Sequence, residues 1–358
     1  MTKHQEIINE DICLIVKSLG NLVDKFSGKT ILITGPNGLL ASYLVDTVAY
    51  LNDNKMLKRK CKIIGLQRSK ITRKDRLGHL LKRNDIKIIQ HDVTKPYTPK
   101  QKVHYIVHSA GRSAPAVFQS DPLGTVDVNV KGIRWILEYA RKSKPISILY
   151  MSSGEIYGNP TSENIPTPET YKGNVSTLAP RACYTESKRL AETLCSIYFT
   201  KFNVPIKIAR PFIVYGPGLP IEDRRVIADF MRSGIEGKPI EMLNEGLDTR
   251  SYCYIADATT LFWKMLFSDK NCEPYNVASD LEEISIKKLA ETVHEICQIK
   301  KPVGIKITKD IKFVKDAPTK VAPDISKAKK DFKYKPRVLM KEGLKRTIEW
   351  NKARLGTT

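Results

Sequence analysis

Hydrophobic residues recur at helical spacing near the start of the chain, between residues 7 and 26. Intervals of three and four residues place them on one face of a helix. This face consists of Ile8, Ile12, Ile15, Val16, Leu19, Val23 and Phe26. The pattern predicts an N-terminal helix, or two short ones, packed on the domain that follows. Residues 1–28 are therefore predicted to form an N-terminal helical extension.

From Lys29 onward, short apolar runs alternate with longer amphipathic stretches. The apolar runs predict strands at 29–35, 60–66, 86–93, 103–111, 146–153 and 206–216. The amphipathic stretches predict helices at 39–52, 125–142 and 184–202. Strands that alternate with helices in this way form a parallel sheet with helices on both faces. The sequence thus predicts an α/β fold built on a doubly wound parallel Rossmann sheet.

The C-terminal part has a different pattern. Beyond residue 215 proline and glycine become more frequent, and short helices alternate with loops up to a final helix at 340–355. This predicts a smaller C-terminal substrate-binding lobe over the carboxyl edge of the sheet, where ligands bind in such folds. The predicted Rossmann domain covers 29–208 with a return segment at about 251–285, and the predicted lobe covers 209–250 and 286–350.

Composition narrows the class of protein. The 358 residues are 41% hydrophobic, enough for a sizeable core. No apolar run approaches 18 residues, and the N-terminus lacks a signal-peptide core, so no membrane span and a cytoplasmic location are expected. The seven cysteines show no CxxC or Cys/His spacing. They are therefore interpreted as reduced thiols, and no metal site is predicted.

The net charge of +22 raises the question of a polyanionic partner. The lysines are spread along the chain and no nucleic-acid-binding motif is present. A basic surface that attracts anionic small substrates is the favoured interpretation, with no nucleic-acid partner. A non-catalytic nucleotide- or nucleic-acid-binding module stays a remote alternative, and this charge is its only support.

A glycine-containing turn follows the first predicted strand and opens a helix, as in dinucleotide-binding proteins. Such a turn lets a pyrophosphate approach the backbone at a helix N-terminus. The residues predicted to bind the cofactor there are Gly35, Asn37, Gly38 and Leu39. Ala41 is small enough for close packing of the helix.

The end of the second predicted strand bears on the choice between NAD and NADP. An acid at this position binds the ribose 2′-hydroxyl of NAD, but here the chain has Arg68. Arg68 could pair with a 2′-phosphate, which would favour NADP, or it could stack on the adenine of NAD. NAD is the preferred cofactor in this interpretation, and NADP stays possible. After the third strand, Asp92 and Val93 are expected beside the adenine. The alternative for Asp92 is a simple turn cap.

Tyr184 and Lys188 lie four residues apart in a predicted helix, so they share one face. An ammonium beside a phenol favours the phenolate, and Lys188 is expected to lower the pKa of Tyr184 toward neutrality. Upstream, Ser153 and Glu155 follow the fifth predicted strand. A phenolate base with a serine hydroxyl and a bound nicotinamide can oxidise a sugar alcohol.

Six motifs occur in order along the chain: GPNGLLA, HDV, VHSAG, MSSGEIYG, YTESK and ARPFIVYGPG. Together they resemble the extended short-chain dehydrogenase/reductases, the NAD-dependent epimerase/dehydratase family, over residues 28–350. The resemblance implies bound NAD, a nucleotide-diphosphate sugar substrate and Tyr184, Lys188, Ser153 and Glu155 as catalytic residues. Lys188 would also hold the nicotinamide ribose. It further implies cofactor contacts at Ser109, Ala110, Gly111 and Pro211.

Within that family, the triplet after the fifth strand separates the reactions. Dehydratases carry Thr-Asp-Glu and UDP-glucuronate decarboxylases carry Thr-Ser-Glu, whereas this chain has Ser153, Gly154 and Glu155. The chain most resembles the decarboxylases, which are lyases of carbohydrate biosynthesis. These enzymes oxidise the sugar at C4, release carbon dioxide and then reduce the C4 ketone again. An NDP-sugar 4-epimerase, 4-dehydrogenase or 4,6-dehydratase on the same scaffold remains the alternative.

The same resemblance implies substrate contacts and an assembly. The implied substrate-binding residues are Arg112, Ser113, Tyr215, Arg225 and Arg250. Arg112 stands where the family has proline, and Ile213 where it has asparagine, which leaves the identity of the substrate open. A homodimer is expected through the helices at 125–142 and 184–202. Its apolar candidates are Trp135, Ile136, Leu190 and Leu194.

Overall fold

The structure is a computed structural model that describes residues 2–306 and 319–356. Its helices are α1 (Lys3–Leu19), α2 (Leu39–Asp53), α3 (Pro115–Ser120), α4 (Pro122–Ser143), α5 (Ala182–Phe202), α6 (Val226–Ile235), α7 (Ile255–Leu266), α8 (Ile286–Cys297), α9 (Ser326–Phe332) and α10 (Met340–Leu355). Single 3₁₀ segments span Gly20–Phe26, Gly78–Leu80, Gly154–Tyr157 and Ser162–Asn164.

The strands are short and mostly buried. They are β1 (Thr30–Thr34), β2 (Lys62–Gln67), β3 (Ile86–Gln90), β4 (Tyr105–His108), β5 (Ser147–Met151), β6 (Ile206–Pro211), β7 (Ile213–Tyr215), β8 (Glu241–Met242), β9 (Thr249–Tyr254), β10 (Pro274–Val277), β11 (Glu283–Ser285), β12 (Gly304–Ile305) and β13 (Lys320–Val321). Strands such as β1 and β5 are buried along their whole length because both faces of the sheet are covered.

Seven parallel strands form the main sheet in the order β10-β6-β5-β4-β1-β2-β3. This confirms the predicted α/β fold with a parallel Rossmann sheet. The strand order reverses between β1 and β4, so the connections that leave these strands diverge to opposite faces. Such a switch point opens a crevice at the carboxyl ends of the strands, where ligands bind.

The predicted strand at 206–216 is divided at Phe212. β6 belongs to the main sheet, whereas β7 pairs with β9 in a second sheet that also contains β11 and β13. A further pair joins β8 to β12. The break therefore carries the chain from the carboxyl edge of the main sheet directly into the second one. The lobe predicted for 286–350 includes residues 307–318, which lie outside the described residues.

The two faces of the main sheet are covered by different helices. α2 and α7 pack with α1 on one face, and α4 packs with α5 on the other. Ile136 on α4 is only 7% exposed because it packs inside this second layer. It therefore cannot serve as a dimer contact, and that prediction is wrong. Trp135 and Leu190 are exposed.

A buried carboxylate fixes α1 to the rest of the protein. Asp11 accepts hydrogen bonds from the hydroxyls of Tyr43 at 2.7 Å and Tyr254 at 2.8 Å, and from Arg346 Nη1 at 2.9 Å. Burial raises the pKa of Asp11 to about 6, although these three partners oppose the rise. One side chain thus ties α1 to α2, β9 and α10.

Within the described ranges, no helix combines the length and the apolar character needed to cross a bilayer.

Candidate active site

The turn after β1 forms a cradle at the switch point. Gly35 has φ +66°, and a Cβ on it would lie 3.0 Å from the Cα of Ala110, so a side chain there is excluded. Gly38 caps α2 without a side-chain hydrogen bond to the helix. The first amide groups of α2, next to Leu39, are therefore left for an anion. These features fit the pyrophosphate of a dinucleotide.

Thr34 joins this turn to the loop after β4, a link that no motif had indicated. Its hydroxyl accepts hydrogen bonds from the backbone amides of Ser109 at 3.1 Å and Ala110 at 3.0 Å. It also lies 2.9 Å from His108 Nδ1. On the other side, Asn37 Oδ1 accepts a hydrogen bond from the amide of Leu77 at 3.1 Å. The predicted cofactor residues of both loops are thus brought together at the carboxyl edge of β1 and β4.

Asp92, which was expected beside the adenine, caps the turn after β3. Its Oδ1 accepts hydrogen bonds from the amide and hydroxyl of Thr94, both at 2.9 Å, so it caps the turn. These bonds lower the pKa of Asp92, with smaller contributions from Lys95 and Arg68. Val93 lines a shallow surface cleft together with Leu66 of β2 and with Trp135 and Ile136 of α4. Arg68 is exposed immediately after β2.

Tyr184 lies in the first turn of α5 and is buried against Phe118. Their rings are stacked, with centroids 5.2 Å apart and an interplanar angle of 12°. Burial raises the pKa of Tyr184 to about 12. Hydrogen bonding with Ser153 lowers it, Glu155 raises it, and Arg225 and Arg181 lower it. The phenol is therefore surrounded by the serine, the carboxylate and two of the arginines that a polar substrate would meet.

Lys188 is held away from the phenol. Its Nζ donates to the carbonyl oxygen of Met151 at 2.8 Å and lies 5.9 Å from the centre of the Tyr184 ring. The expectation that Lys188 brings the pKa of Tyr184 toward neutrality is wrong for this structure, because burial dominates and the amine is directed to the end of β5. A Cβ on Gly111 would lie 3.5 Å from this Nζ. Gly111 thus leaves space directly above the amine.

An ion pair beneath Lys188 was not predicted from the sequence. Arg210 Nη2 donates to Glu192 Oε2 at 2.6 Å, and its Nε donates to Oε1 at 3.0 Å. Glu192 also accepts from Ser152 Oγ at 2.5 Å. Burial lowers the pKa of Lys188 to about 8, and Glu192 is the largest influence that raises it. The four-residue interval from Lys188 to Glu192 could have placed this carboxylate near the lysine, but it does not predict the pairing with Arg210. Pro211 follows, buried, at the end of β6.

The turn after β5 presents the predicted Ser153 and Glu155. The Ser153 hydroxyl accepts a hydrogen bond from the Glu155 amide at 3.1 Å, which caps the 3₁₀ turn that begins at Gly154. A Cβ on Gly154 would lie 2.8 Å from the Phe212 ring, so this position has no room for a side chain. The Glu155 carboxylate is half-exposed. The surface formed by Ser153, Glu155 and Tyr184, with the arginines whose charges act on Tyr184 and Glu155, is called the groove below.

Three arginines surround this groove, of which sequence reasoning had named two. Arg181 Nη2 contacts both carboxylate oxygens of Glu155, at 3.1 and 3.0 Å. Arg225 forms a two-point ion pair with Asp223, at 2.9 and 2.8 Å. Arg250 Nη1 donates hydrogen bonds to the carbonyl oxygens of Thr249 on β9 and Thr319 before β13. Burial lowers the pKa of Arg250, and the nearby charge of Glu155 raises it. Arg181, three residues before the tyrosine, had been missed.

Three other predicted substrate residues have different surroundings. Arg112 forms an ion pair with Asp121, the N-cap of α4. Ser113 is exposed just before α3. Tyr215 lies in the core, 1% exposed, and its hydroxyl donates to the carbonyl oxygen of Met340 at 3.3 Å. The structure does not bring Tyr215 to the groove, because β7 turns its side chain toward α10.

Comparison with known proteins places this geometry in a family. Residues 31–278 match the model of the NAD dependent epimerase/dehydratase family. UDP-glucuronic acid decarboxylase 6 of Arabidopsis thaliana is 34% identical over 92% of this chain and 91% of its own length. UDP-glucuronic acid decarboxylase 1 of Xenopus tropicalis is 29% identical over 90% of this chain and 72% of its own length.

Solved structures support the same fold. An epimerase from Methanothermobacter thermautotrophicus superimposes with a TM-score of 0.79 at 24% identity, covering 94% of this chain and 96% of its own. The UDP-glucose 4-epimerase of Thermotoga maritima, solved with UDP-glucose, gives 0.76 at 22% identity, covering 91% and 99%. Both the sequence relatives and the family model lead to one conclusion: the chain belongs to the NAD dependent epimerase/dehydratase family.

Proposed function

We propose that this protein binds NAD, oxidises a nucleotide-diphosphate sugar transiently at C4, and acts as a UDP-glucuronate decarboxylase. The observation that carries the proposal is the convergence of Tyr184, Ser153 and Glu155 beside an intact dinucleotide cradle. The specific reaction is supported by relatives named as UDP-glucuronic acid decarboxylases, one of which is 34% identical to this chain.

Tyr184 is the proposed base. Its phenolate form takes the proton of the sugar 4-hydroxyl, while Ser153 donates a hydrogen bond to the same oxygen. Arg181 and Arg225 favour that form, because both lower the pKa of Tyr184. When bound, NAD would supply a hydride acceptor for C4 and return the hydride at the end of the cycle.

The ketone at C4 makes a carboxylate on C5 a β-keto acid. The bond between C5 and the carboxyl carbon breaks, carbon dioxide leaves, and the electron pair remains as the enolate of the ketone. The enolate is then protonated at C5, which restores a tetrahedral carbon. Glu155 and Arg250 are the residues proposed to position this region and to direct the proton to C5. Arg225 and Arg250 form a positive region suited to a diphosphate and a carboxylate.

The cofactor is proposed to be NAD rather than NADP. The cofactor contacts at Ser109, Ala110, Gly111 and Pro211 stay predictions.

A homodimer through α4 and α5 is also proposed, supported by the exposed Trp135 and the exposed apolar residues of α5. A cytoplasmic location is supported by the seven free cysteines. No nucleic-acid partner is expected.

Incubation with NAD and UDP-glucuronate tests the proposal. Carbon dioxide and UDP-xylose are the expected products, with no net change in NADH absorbance. Glu155→Gln should stop proton chemistry at C5 while C4 oxidation continues. Formation of UDP-galacturonate without carbon dioxide would identify a 4-epimerase, and accumulation of NADH would identify a 4-dehydrogenase. Either result would replace the decarboxylase assignment.

A further inference from the structure

We propose that Arg181 is the specificity-determining residue that lets this groove accept a sugar carrying a carboxylate. The inference rests on the proposed function and assigns a role to a side chain outside the Tyr184, Lys188, Ser153 and Glu155 set. It concerns the choice between acidic and neutral sugars.

The position of Arg181 ties it to the reacting groups. Its guanidinium carbon lies 5.8 Å over the ring centre of Phe118, and Phe118 is stacked on Tyr184. Its Nη2 contacts both carboxylate oxygens of Glu155. Arg181 and Tyr184 therefore both contact the ring of Phe118, and Tyr184 is the phenol proposed to contact the sugar 4-hydroxyl. A carboxylate on C5, the next carbon of the sugar, would come near the same guanidinium.

Charge explains why such a residue is needed. The Glu155 side chain is 46% exposed at the groove, so an entering sugar carboxylate would meet a like charge. Pairing with Arg181 neutralises Glu155. The guanidinium also retains donors for a second carboxylate, because both of its contacts with Glu155 come from Nη2 and its side chain is 28% exposed. Arginine presents several donors in one plane, which suits two carboxylates at once.

The other arginines of the groove add positive charge, but their guanidinium nitrogens are held by partners other than Glu155. Arg225 directs two nitrogens to Asp223, and that carboxylate is largely buried. Arg250 Nη1 is occupied by the carbonyl oxygens of Thr249 and Thr319. Arg181 is the groove arginine whose acidic partner itself faces the substrate. Its loss would therefore expose an uncompensated carboxylate to the incoming sugar.

The test measures dissociation constants of UDP-glucuronate, UDP-glucose and UDP by calorimetry on the NAD-loaded protein. Arg181→Gln should weaken UDP-glucuronate binding about tenfold or more, while UDP-glucose and UDP change by less than about threefold. Arg181→Lys should retain most of the preference. The double variant Arg181→Gln/Glu155→Gln should recover much of the lost affinity, because both charges are removed. Arg141→Gln on α4, which pairs with Glu138 away from the groove, is the matched control.

Thermal melting of each variant separates binding from folding. Equal weakening of UDP-glucuronate and UDP-glucose, or no recovery in the double variant, would overturn the role of Arg181. A wild-type protein that prefers UDP-glucose would do the same. A protein that prefers UDP-glucuronate through Arg181 but releases no carbon dioxide would instead disprove the decarboxylase function and leave this inference standing.

Discussion

The ammonium of Lys188 donates a hydrogen bond to the carbonyl oxygen of Met151 at 2.8 Å, which anchors α5 to the end of β5. The amine and the phenol of Tyr184 are thus on one helical face but do not touch. Ser153, Arg181 and Arg225 are the groups that oppose the effect of burial on the phenol. The phenol proposed as the base and the amine of Lys188 therefore have separate structural anchors.

Tyr184→Phe is expected to abolish turnover while NAD binding is retained. The substitution removes the proton acceptor but keeps the ring that stacks on Phe118. Product formation and NAD titration by fluorescence provide the two measurements. Tyr50→Phe on α2 is the control and should behave as wild type. Turnover of Tyr184→Phe near the wild-type rate would disprove the assigned base.

Glu192→Gln is expected to destabilise the protein by about 3 kcal/mol, because Arg210 would keep a buried charge without its counter-ion. The pKa of Lys188 should also fall further, since Glu192 is the group that raises it most. Urea unfolding measures the first effect, and the pH profile of kcat measures the second. Glu186→Gln on the same helix, whose pair with Arg189 is exposed, should change stability by less than about 1 kcal/mol.

Arg68→Ala distinguishes the two cofactors. If Arg68 pairs with a 2′-phosphate, the variant should bind NADP about tenfold more weakly and NAD nearly unchanged. Our prediction is the opposite result: the wild type prefers NAD, and Arg68→Ala changes the ratio of the NAD and NADP dissociation constants by less than about threefold. Calorimetric titration with both cofactors gives the answer. A strong wild-type preference for NADP that disappears in Arg68→Ala would reverse our assignment.

The double variant Leu190→Glu/Ile197→Glu is expected to be monomeric. Both side chains are exposed on α5, and two acids there would oppose the association of two copies of this surface. Ile146→Glu, exposed in the loop before β5, is the control and should remain dimeric. Sedimentation velocity reports the assembly state. A monomeric wild type would remove the proposed dimer.

Asp11 gives stability a pH dependence. Its pKa is about 6 in the folded protein against a usual 3.8, so the folded state favours the protonated acid. Its contribution to the free energy of unfolding is therefore fully present below pH 4 and lost as the pH rises through 6. The loss should be on the order of 2 kcal/mol, and Asp11→Asn should not show it. Urea unfolding of both proteins from pH 4 to 7 measures the difference, and parallel pH curves would contradict it.

The periodicity of the sequence predicted the order of strands and helices because burial on both sheet faces makes continuous apolar runs. The division at Phe212 was not predicted, although Pro211 directly before it is a residue type that interrupts strand pairing. Tyr215 was assigned to the substrate through the family resemblance, but the side on which a strand residue points depends on that bend.

The ion pairs of the site could not be predicted for a different reason. Glu192 and Arg210 are 18 residues apart and meet only because α5 packs beside β6. Glu155 and Arg181 are 26 residues apart and come from a 3₁₀ turn and a helix start. Such pairs depend on tertiary packing, which local sequence patterns do not encode. The same holds for the raised pKa of Tyr184, which reflects burial rather than its sequence neighbours.

The close approach of Gly154 and Phe212 limits which residues this turn can carry. Dehydratases of the family carry aspartate where this chain has Gly154, yet a Cβ there would lie 2.8 Å from the Phe212 ring. An acid introduced at position 154 would therefore displace the aromatic ring or distort the turn. A smaller residue at position 212 is the accompanying change that would make room for it.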